Sequence, residues 1–334
     1  MATKYGDISQ RTAAFAEKKM LEHAEPILEL EKFAQAKPLP KNTANNIKFR
    51  RPIPYNVSTT QLVEGVTPVP KQIQYEDVSV TMGQYGDVIE ITDHVADMSE
   101  DPVLSDAAML AGEQAAETKE LILWGVLKAG TNVAYSGTAA TPAARDDVND
   151  VLTLNLVRNA IRNLKSQRAK PITTMISASP KFATEAVAAG WVGFAHTDVE
   201  QDIRDMDGFT PVERYGNVTP ISDNECGKVE QLRFILSPVL APYAGAGSAT
   251  LNGMVATGSN VDVYPVVIIS KNSYGTVPLK GAGSMSPRVI NPDRIDKSDL
   301  LGQRGYVGWK MYFAALILNE AWLQRVEVGV TELV

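Results

Sequence analysis

SEDPVLSDAAMLAGEQAAETKELILWGVLKAG, residues 99–130, is the stretch on which the reading of this chain turns. Asp101 before Pro102 is a helix-start signal, with proline at the first helical position, and Gly130 is a stop signal. A helix of roughly 27 residues between them would be about 40 Å long, well beyond an ordinary globular helix. At 100° per residue, Asp106, Glu113, Glu117 and Glu120 share one narrow stripe. Leu104, Ala108, Ala111, Ala115, Ile122 and Val126 lie opposite. The acidic stripe predicts a solvated face. The alanine stripe predicts a partner whose backbone comes close to the helix axis, and a sheet meets that requirement.

N-terminal to this helix the pattern changes twice. Residues 7–36 repeat apolar side chains at three and four, among them Phe15, Leu21, Leu28 and Phe33, which predicts an amphipathic arm interrupted at Pro26. The polar, proline-rich KPLPKNTANN connects the arm to a pair of extended segments. These are IKFRRPIPY (47–55) and IQYEDVSVTM (73–82), which read as two strands, continued at 88–92. Between them VSTTQLVEGVTPVP (57–70) is rich in Thr, Pro and Gly, so the whole reads as a long hairpin with an irregular tip. Such a ribbon cannot bury both faces alone and must project or dock. Leu62, Val63 and Val66 sit at its tip with no local partner to cover them. Lys48, Arg50 and Arg51 form a tight basic cluster, expected to make salt bridges.

C-terminal to the long helix, strands and helices alternate. Thr153 caps a helix through Lys165, 172–178 reads as a strand, Ser179-Pro180 opens a helix through Val187, and another helix begins near Asp198. Residues 229–236 and 264–270 read as strands, the latter the most apolar in the chain. These predict a compact α/β lobe over about 145–300. The segment LGQRGYVGWKMYFAALILNEAWLQRVE (301–327) carries two strands flanking Asn319-Glu320, with Trp309, Met311 and Phe313 alternating in the first and Trp322 entering the second. Trp309, Phe313 and Trp322 are expected in the core, against the Ala108, Ala115 and Ile122 face of the helix.

Composition restricts the function classes. The net charge is −7, and residues 93–150 alone carry −8, so the acid excess belongs to the long-helix region and argues against a nucleic-acid reader. No apolar run reaches the length of a membrane span, and the first ten residues lack a signal-peptide core. Cys226 is the only cysteine, which excludes an internal disulfide and fits synthesis in a reducing cytoplasm. His23, His94 and His196 have no metal-ligand spacing and no nucleophile motif beside them. Gly245, Gly247 and Gly253 superficially suggest a phosphate loop, but Pro238 and Pro242 precede them and no helix pattern comes after. No catalytic, cofactor-binding or metal residues are expected.

The order of parts, together with KPLPKN and KFRR at 37–51, LVEGVTP through QYGDVIEITD at 62–93, and the 301–327 segment, resembles the major capsid proteins of tailed bacteriophages. These share the Hong Kong 97-type fold, and the branch resembled is that typified by enquatroviruses. The resemblance implies an α+β fold divided into an N-terminal arm (1–46), an E-loop hairpin (47–92), a P-domain spine helix and following loop (93–144), an A-domain (145–300, with a branch-specific insertion allowed within 190–260) and closing P-domain strands (301–334). It implies a structural subunit, not an enzyme, made in the host bacterial cytoplasm and located in the virion. Hexamers and pentamers would form an icosahedral shell around packaged double-stranded DNA, enclosed without sequence-specific binding and without a membrane. Leu62, Val63 and Val66, with Phe15, Leu21 and Leu28 of the arm, would be intersubunit contacts. A separate scaffolding protein, a portal and decoration proteins would be the further partners. Two alternatives stand beside this reading: an encapsulin-like cellular nanocompartment shell, and a small α/β enzyme with substrate at the Gly245 loop.

Overall fold

A helix from Val103 to Lys128 (α1) organises the molecule, and its composition changes along its length to suit two different neighbours. The computed structural model describes residues 28–42, 44–59, 61–94, 103–137, 142–176, 184–215, 220–280, 286–290, 292 and 299–333. The Asp101-Pro102 start signal and the arm residues Phe15 and Leu21 lie outside them.

In chain order, a single 3-10 turn at Leu30–Phe33 leads into β1 (Gln35–Ala36), β2 (Asn46–Pro52), β3 (Tyr75–Thr81) and β4 (Gly83–Thr92), followed by α1. Then come β5 (Val133–Tyr135), α2 (Leu154–Ser166), β6 (Ile172–Ile176), β7 (Thr184–Ala195), α3 (Glu200–Arg204), β8 (Phe209–Pro211), β9 (Glu225–Val229) and β10 (Leu232–Leu236). The chain finishes through β11 (Ala256–Thr257), β12 (Asn260–Val261), β13 (Tyr264–Ile269), β14 (Tyr274–Pro278), β15 (Ser286–Ile290), β16 (Arg304–Ile317) and β17 (Leu323–Val328).

Two main sheets result among the described residues. In the first, β16 is central: β4 lies along one side from Thr92 to Gly83, while β15 and β14 share the other, with β1 parallel to β14 at the edge. β16 alternates along its first part, with Arg304 and Lys310 exposed and Tyr306 and Tyr312 half-buried, and is buried on both faces from Phe313 to Leu316. Val307, Trp309, Met311, Phe313 and Ala315 join the core that includes α1, whereas Ala314 and Leu316 join a smaller cluster with Leu39 and Val277. Where β4 meets β16 the side chains shrink to nothing. A Cβ on Gly86 would sit 2.6 Å from the Trp309 carbonyl oxygen and one on Gly308 2.7 Å from that of Asp87, so the two backbones can approach only with glycine there.

The second sheet has the order β5-β17-β13-β7-β10-β9-β8, with β6 paired to β7. β13 is buried along its whole length. One face of the sheet carries Trp191, Leu232, Phe234, Val266, Ile268, Val326 and Val328 against Val157, Ala160, Ile161 and Leu164 of α2. The other face, with Val192, Phe194, Val267 and Ile269, belongs to the α1 core. This explains the helix composition. Ala107, Ala108, Ala111, Gly112, Ala115 and Ala116 are buried in its first half, where β16 comes close, and Leu123, Trp124 and Leu127 fill the second half. Ile122 packs at the edge of this core and is half-buried.

Several expectations are corrected here. Residues 184–187 are the start of β7 and not a helix, because pairing with β6 from Ile176↔Thr184 onward overrides the alanine-rich local sequence. The strand expected over 229–236 is a hairpin: Glu230 takes a positive φ of 53°, and β9 and β10 pair across it. The 145–300 region is not one lobe, since Tyr274–Pro278 and Ser286–Ile290 pair with β16 in the first sheet. Within 190–260, where an insertion was allowed, β10 and the end of β7 are interior strands of the second sheet. The closing strands do not stay together: a 3-10 turn at Glu320–Trp322, capped by the Asn319 side chain, sends β16 to one sheet and β17 to the other. Trp322 consequently sits on that corner, half-buried, its indole N–H donating to the Gln167 carbonyl at 3.2 Å. It is not a core residue. Trp309 and Phe313 are, at 5% and 0% exposed.

Candidate assembly interface

The surface that lacks a partner is the ribbon formed by β2 and β3. These pair antiparallel from Asn46↔Thr81 to Pro52↔Tyr75, and one further bond, Ile53 N–H to the Gln74 carbonyl at 2.9 Å, closes the ladder. The basic cluster is neutralised across the ribbon: Arg50 makes a bidentate pair with Asp77 (2.7 and 2.9 Å), and Arg51 pairs with Glu76 at 2.6 Å. The guanidinium hydrogen bond holds the Asp77 carboxyl below its usual range and raises Arg50. At the base, Ile47, Phe49, Val78, Val80 and Met82 rest half-buried on the small cluster that includes Leu39 and Leu316.

Beyond Pro52 the support ends. Leu62, Val63, Val66 and Val69 are 78%, 68%, 63% and 88% exposed, and Val57 and Ile73 are comparably bare. A turn in which the Val66 N–H donates to the Val63 carbonyl (3.1 Å), with Gly65 at φ +78°, presents them together. Single surface leucines and valines need no explanation, but here several bare apolar side chains fall within one short stretch at the end of the ribbon. The structure thus brings the predicted Leu62, Val63 and Val66 to one place. Leu28, the one described member of the predicted arm contacts, is half-buried against this chain's own core.

The acidic stripe of α1 divides. Asp106 and Glu117 are exposed, as a solvated face requires, whereas Glu113 is half-buried. Glu120 is only 1% exposed. It turns inward because its Oε1 accepts the backbone N–H groups of Glu29 (3.1 Å) and Leu30 (2.8 Å), an arrangement no helical wheel reveals. Burial pushes its carboxyl up to about 7, against the pull of those two amides.

The remaining chemical candidates are structural. The glycine loop donates inward: Gly245 N–H (2.5 Å), Thr257 N–H (3.1 Å) and the Thr257 hydroxyl (2.9 Å) all serve the Asp262 carboxylate. His196 Nδ1 accepts the Asp198 N–H at 3.2 Å. Burial, followed by nearby Glu200, raises the Cys226 thiol to about 11, which makes it a poor nucleophile. Among the described residues no cluster of His, Cys, Asp and Glu has metal-binding geometry, and no helix is long and apolar enough to cross a membrane. Sequence reasoning missed several buried or partly buried ion pairs, among them the fork of Arg145 onto the buried Glu327 with two 2.7 Å bonds. Arg145 and Glu327 are far apart in the chain, so local pattern holds no signal for that pair.

With this geometry in place, the comparisons with known proteins are decisive. Residues 75–321 match the family described as phage capsid protein. The chain belongs to that family. A curated relative, the major capsid protein of Pseudomonas phage KPP21, is 22% identical over 264 residues, which cover 73% of this chain. The chain spans about two thirds, 65%, of the length of that relative. Among solved structures, the capsid of Ralstonia phage GP4 shares the fold at a TM-score of 0.65 with 11% identity, covering 90% of this chain and 88% of the other. The SrpI encapsulin of Synechococcus elongatus PCC 7942 also shares it, at a TM-score of 0.52 with 11% identity and coverage of 90% and 86%. The mixed α and β architecture is therefore that of phage capsid proteins and, more distantly, of an encapsulin.

Proposed function

We propose that this capsid-family protein is the major subunit of a tailed-phage head, of the Hong Kong 97 type and near the enquatrovirus branch. It would assemble as hexamers and pentamers into an icosahedral shell around packaged double-stranded DNA. In that reading α1 is the spine, the β2–β3 ribbon is the E-loop, the sheet around β16 is the P-domain and the sheet around β13 is the A-domain. The observation that carries the proposal is the uncovered apolar tip on a ribbon braced only at its base, in a chain whose family match runs over most of its length. A neighbouring copy covers such a tip in a shell and nothing covers it in a monomer. The Gly245 amide spent on Asp262 and the raised Cys226 thiol count against the enzyme alternative. The nanocompartment alternative shares the fold, but the family match is to phage capsid protein.

Negative-stain microscopy of the expressed protein tests the proposal. Closed shells, tubes or capsomer rings are expected, and a monodisperse monomer at high concentration would overturn it. Shells isolated from infected cells that contained an enzyme cargo and no DNA would favour the nanocompartment reading instead.

A further inference from the structure

The point where the N-terminal segment meets α1 is built around carboxylates. Glu29, Leu30 and Glu31 lie on the helix surface with Leu30 fully buried, and the Leu30 carbonyl accepts the hydroxyl of fully buried Tyr274 at 2.5 Å. The edge of the Phe33 ring meets the Phe194 ring, 5.6 Å between centroids. Three acids converge here. Glu29 is 2% exposed and accepts from Ser222 Oγ (2.6 Å), Asn224 Nδ2 (3.1 Å) and Lys32 Nζ (2.9 Å). Glu31 pairs with Lys119 of α1, whose ammonium also lies 5.2 Å from the Phe313 ring centroid. Glu120, between them, holds the Glu29 and Leu30 amides through Oε1, while its buried Oε2 has no hydrogen-bond partner among the described residues.

We propose that Glu120 is a proton-operated latch: the segment 29–34 is held on α1 while Glu120 is protonated and loosens as Glu120 ionises. The groups that face it set the direction. Burial comes first; the Tyr274 hydroxyl from β14 is neutral and spent on the Leu30 carbonyl, and Glu29 and Glu31 from the 3-10 turn add to burial by making a further negative charge unwelcome. Lys119 favours one, but it is already committed to Glu31. When the segment lifts, Glu120 returns to water and to an ordinary carboxyl affinity for its proton. The docked form, desolvated and beside two acids, holds that proton up to about pH 7. Docking is therefore fully favoured below the solvated value of 4.5, weakens progressively as the pH rises from there, and has lost the contribution once the pH passes about 7. A difference of that size corresponds to a docking constant about 300-fold lower at pH 9 than at pH 4. Leu30, Phe33 and the β1–β14 pairing oppose complete release, so the expected response is loosening of the segment with the rest of the fold intact. The latch concerns a contact within the subunit and stands apart from the shell reading.

Amide hydrogen exchange on the full-length protein, read by mass spectrometry on a peptide covering 28–36 and corrected for intrinsic rates, tests this between pH 5 and 9. In the wild type, protection of this peptide should fall by one to two orders of magnitude, with a midpoint at about pH 6 and little further change above about 7, while peptides from β13 stay unchanged. Glu120→Gln should remain protected throughout. Glu31→Gln removes a repelling charge and frees Lys119 to stabilise ionised Glu120, so its midpoint should move to lower pH. The second variant keeps the test decisive if the first folds poorly. Flat protection in the wild type, an equal fall in Glu120→Gln, or an unmoved midpoint in Glu31→Gln would overturn the proposal.

Discussion

Replacing residues 57–69 by a short Asn-Gly turn should abolish shell formation and leave the subunit folded. The structure supplies the magnitude. Full burial of a Val or Leu side chain is worth about 1.5 to 3 kcal/mol, and Leu62, Val63 and Val66 each have between 63% and 78% of their surface still to bury. Covering the three on a neighbour therefore contributes roughly 3 to 6 kcal/mol per contact before the cost of ordering the tip. A single contact of that size is reversible, but a ring of subunits makes it at every joint. Within the isolated chain the same residues touch little, and the ladder below them ends at Ile53–Gln74, so the melting transition should shift by no more than about 0.5 kcal/mol equivalent. Sedimentation and negative-stain microscopy read assembly, and circular dichroism reads the fold. Normal closed shells from the shortened variant would refute the assignment of the ribbon as an assembly arm. A collapsed melting transition would show that the tip belongs to the fold.

Three stability measurements test the packing. Phe313→Ala should cost about 3 to 5 kcal/mol in denaturant unfolding, since the ring is fully buried between β16 and α1. Trp322→Ala should cost much less, about 1 to 2 kcal/mol, because the side chain is half-buried on a corner and loses mainly one hydrogen bond to Gln167; a loss as large as that of Phe313→Ala would contradict the corner placement. Arg145→Met should destabilise by about 2 to 4 kcal/mol, as it strips the forked donor from a Glu327 carboxylate that is 0% exposed, with only Arg325 (2.9 Å) left to pair with it. A neutral result would mean that Arg325 alone satisfies the site.

Where local pattern carries the information, the sequence was legible. The long helix, the Thr153 cap that accepts the Leu156 N–H, the two ribbon strands and the apolar strand at 264–269 all appear close to where periodicity and punctuation put them. The bare apolar tip was readable from the proline and glycine around Leu62 and Val66. Pairing was less legible. Residues 88–92 read as a continuation of the hairpin, yet they belong to a strand over 83–92 whose ten-residue partnership is with β16, more than two hundred residues away. Trp322 looked like a core aromatic because apolarity does not reveal that the chain turns a corner beneath it. Glu120 looked solvated because a helical wheel assigns faces by angle alone. Two backbone amides arriving from residues 29 and 30 reversed that assignment, and nothing near position 120 announces them.

The threading of β17 between β5 and β13 also sets a timetable for synthesis. β17 pairs parallel with β5 on one side and antiparallel with β13 on the other, so until residues 323–328 have been made, both neighbours present open edges. Folding of that sheet must wait for nearly the whole chain, a topology dominated by distant pairings and correspondingly slow. The ribbon β2–β3, by contrast, is complete long before, with its apolar tip already bare. The ribbon's apolar side chains are therefore exposed before the second sheet is closed, so during synthesis this tip is bare while the sheet's edges are still open.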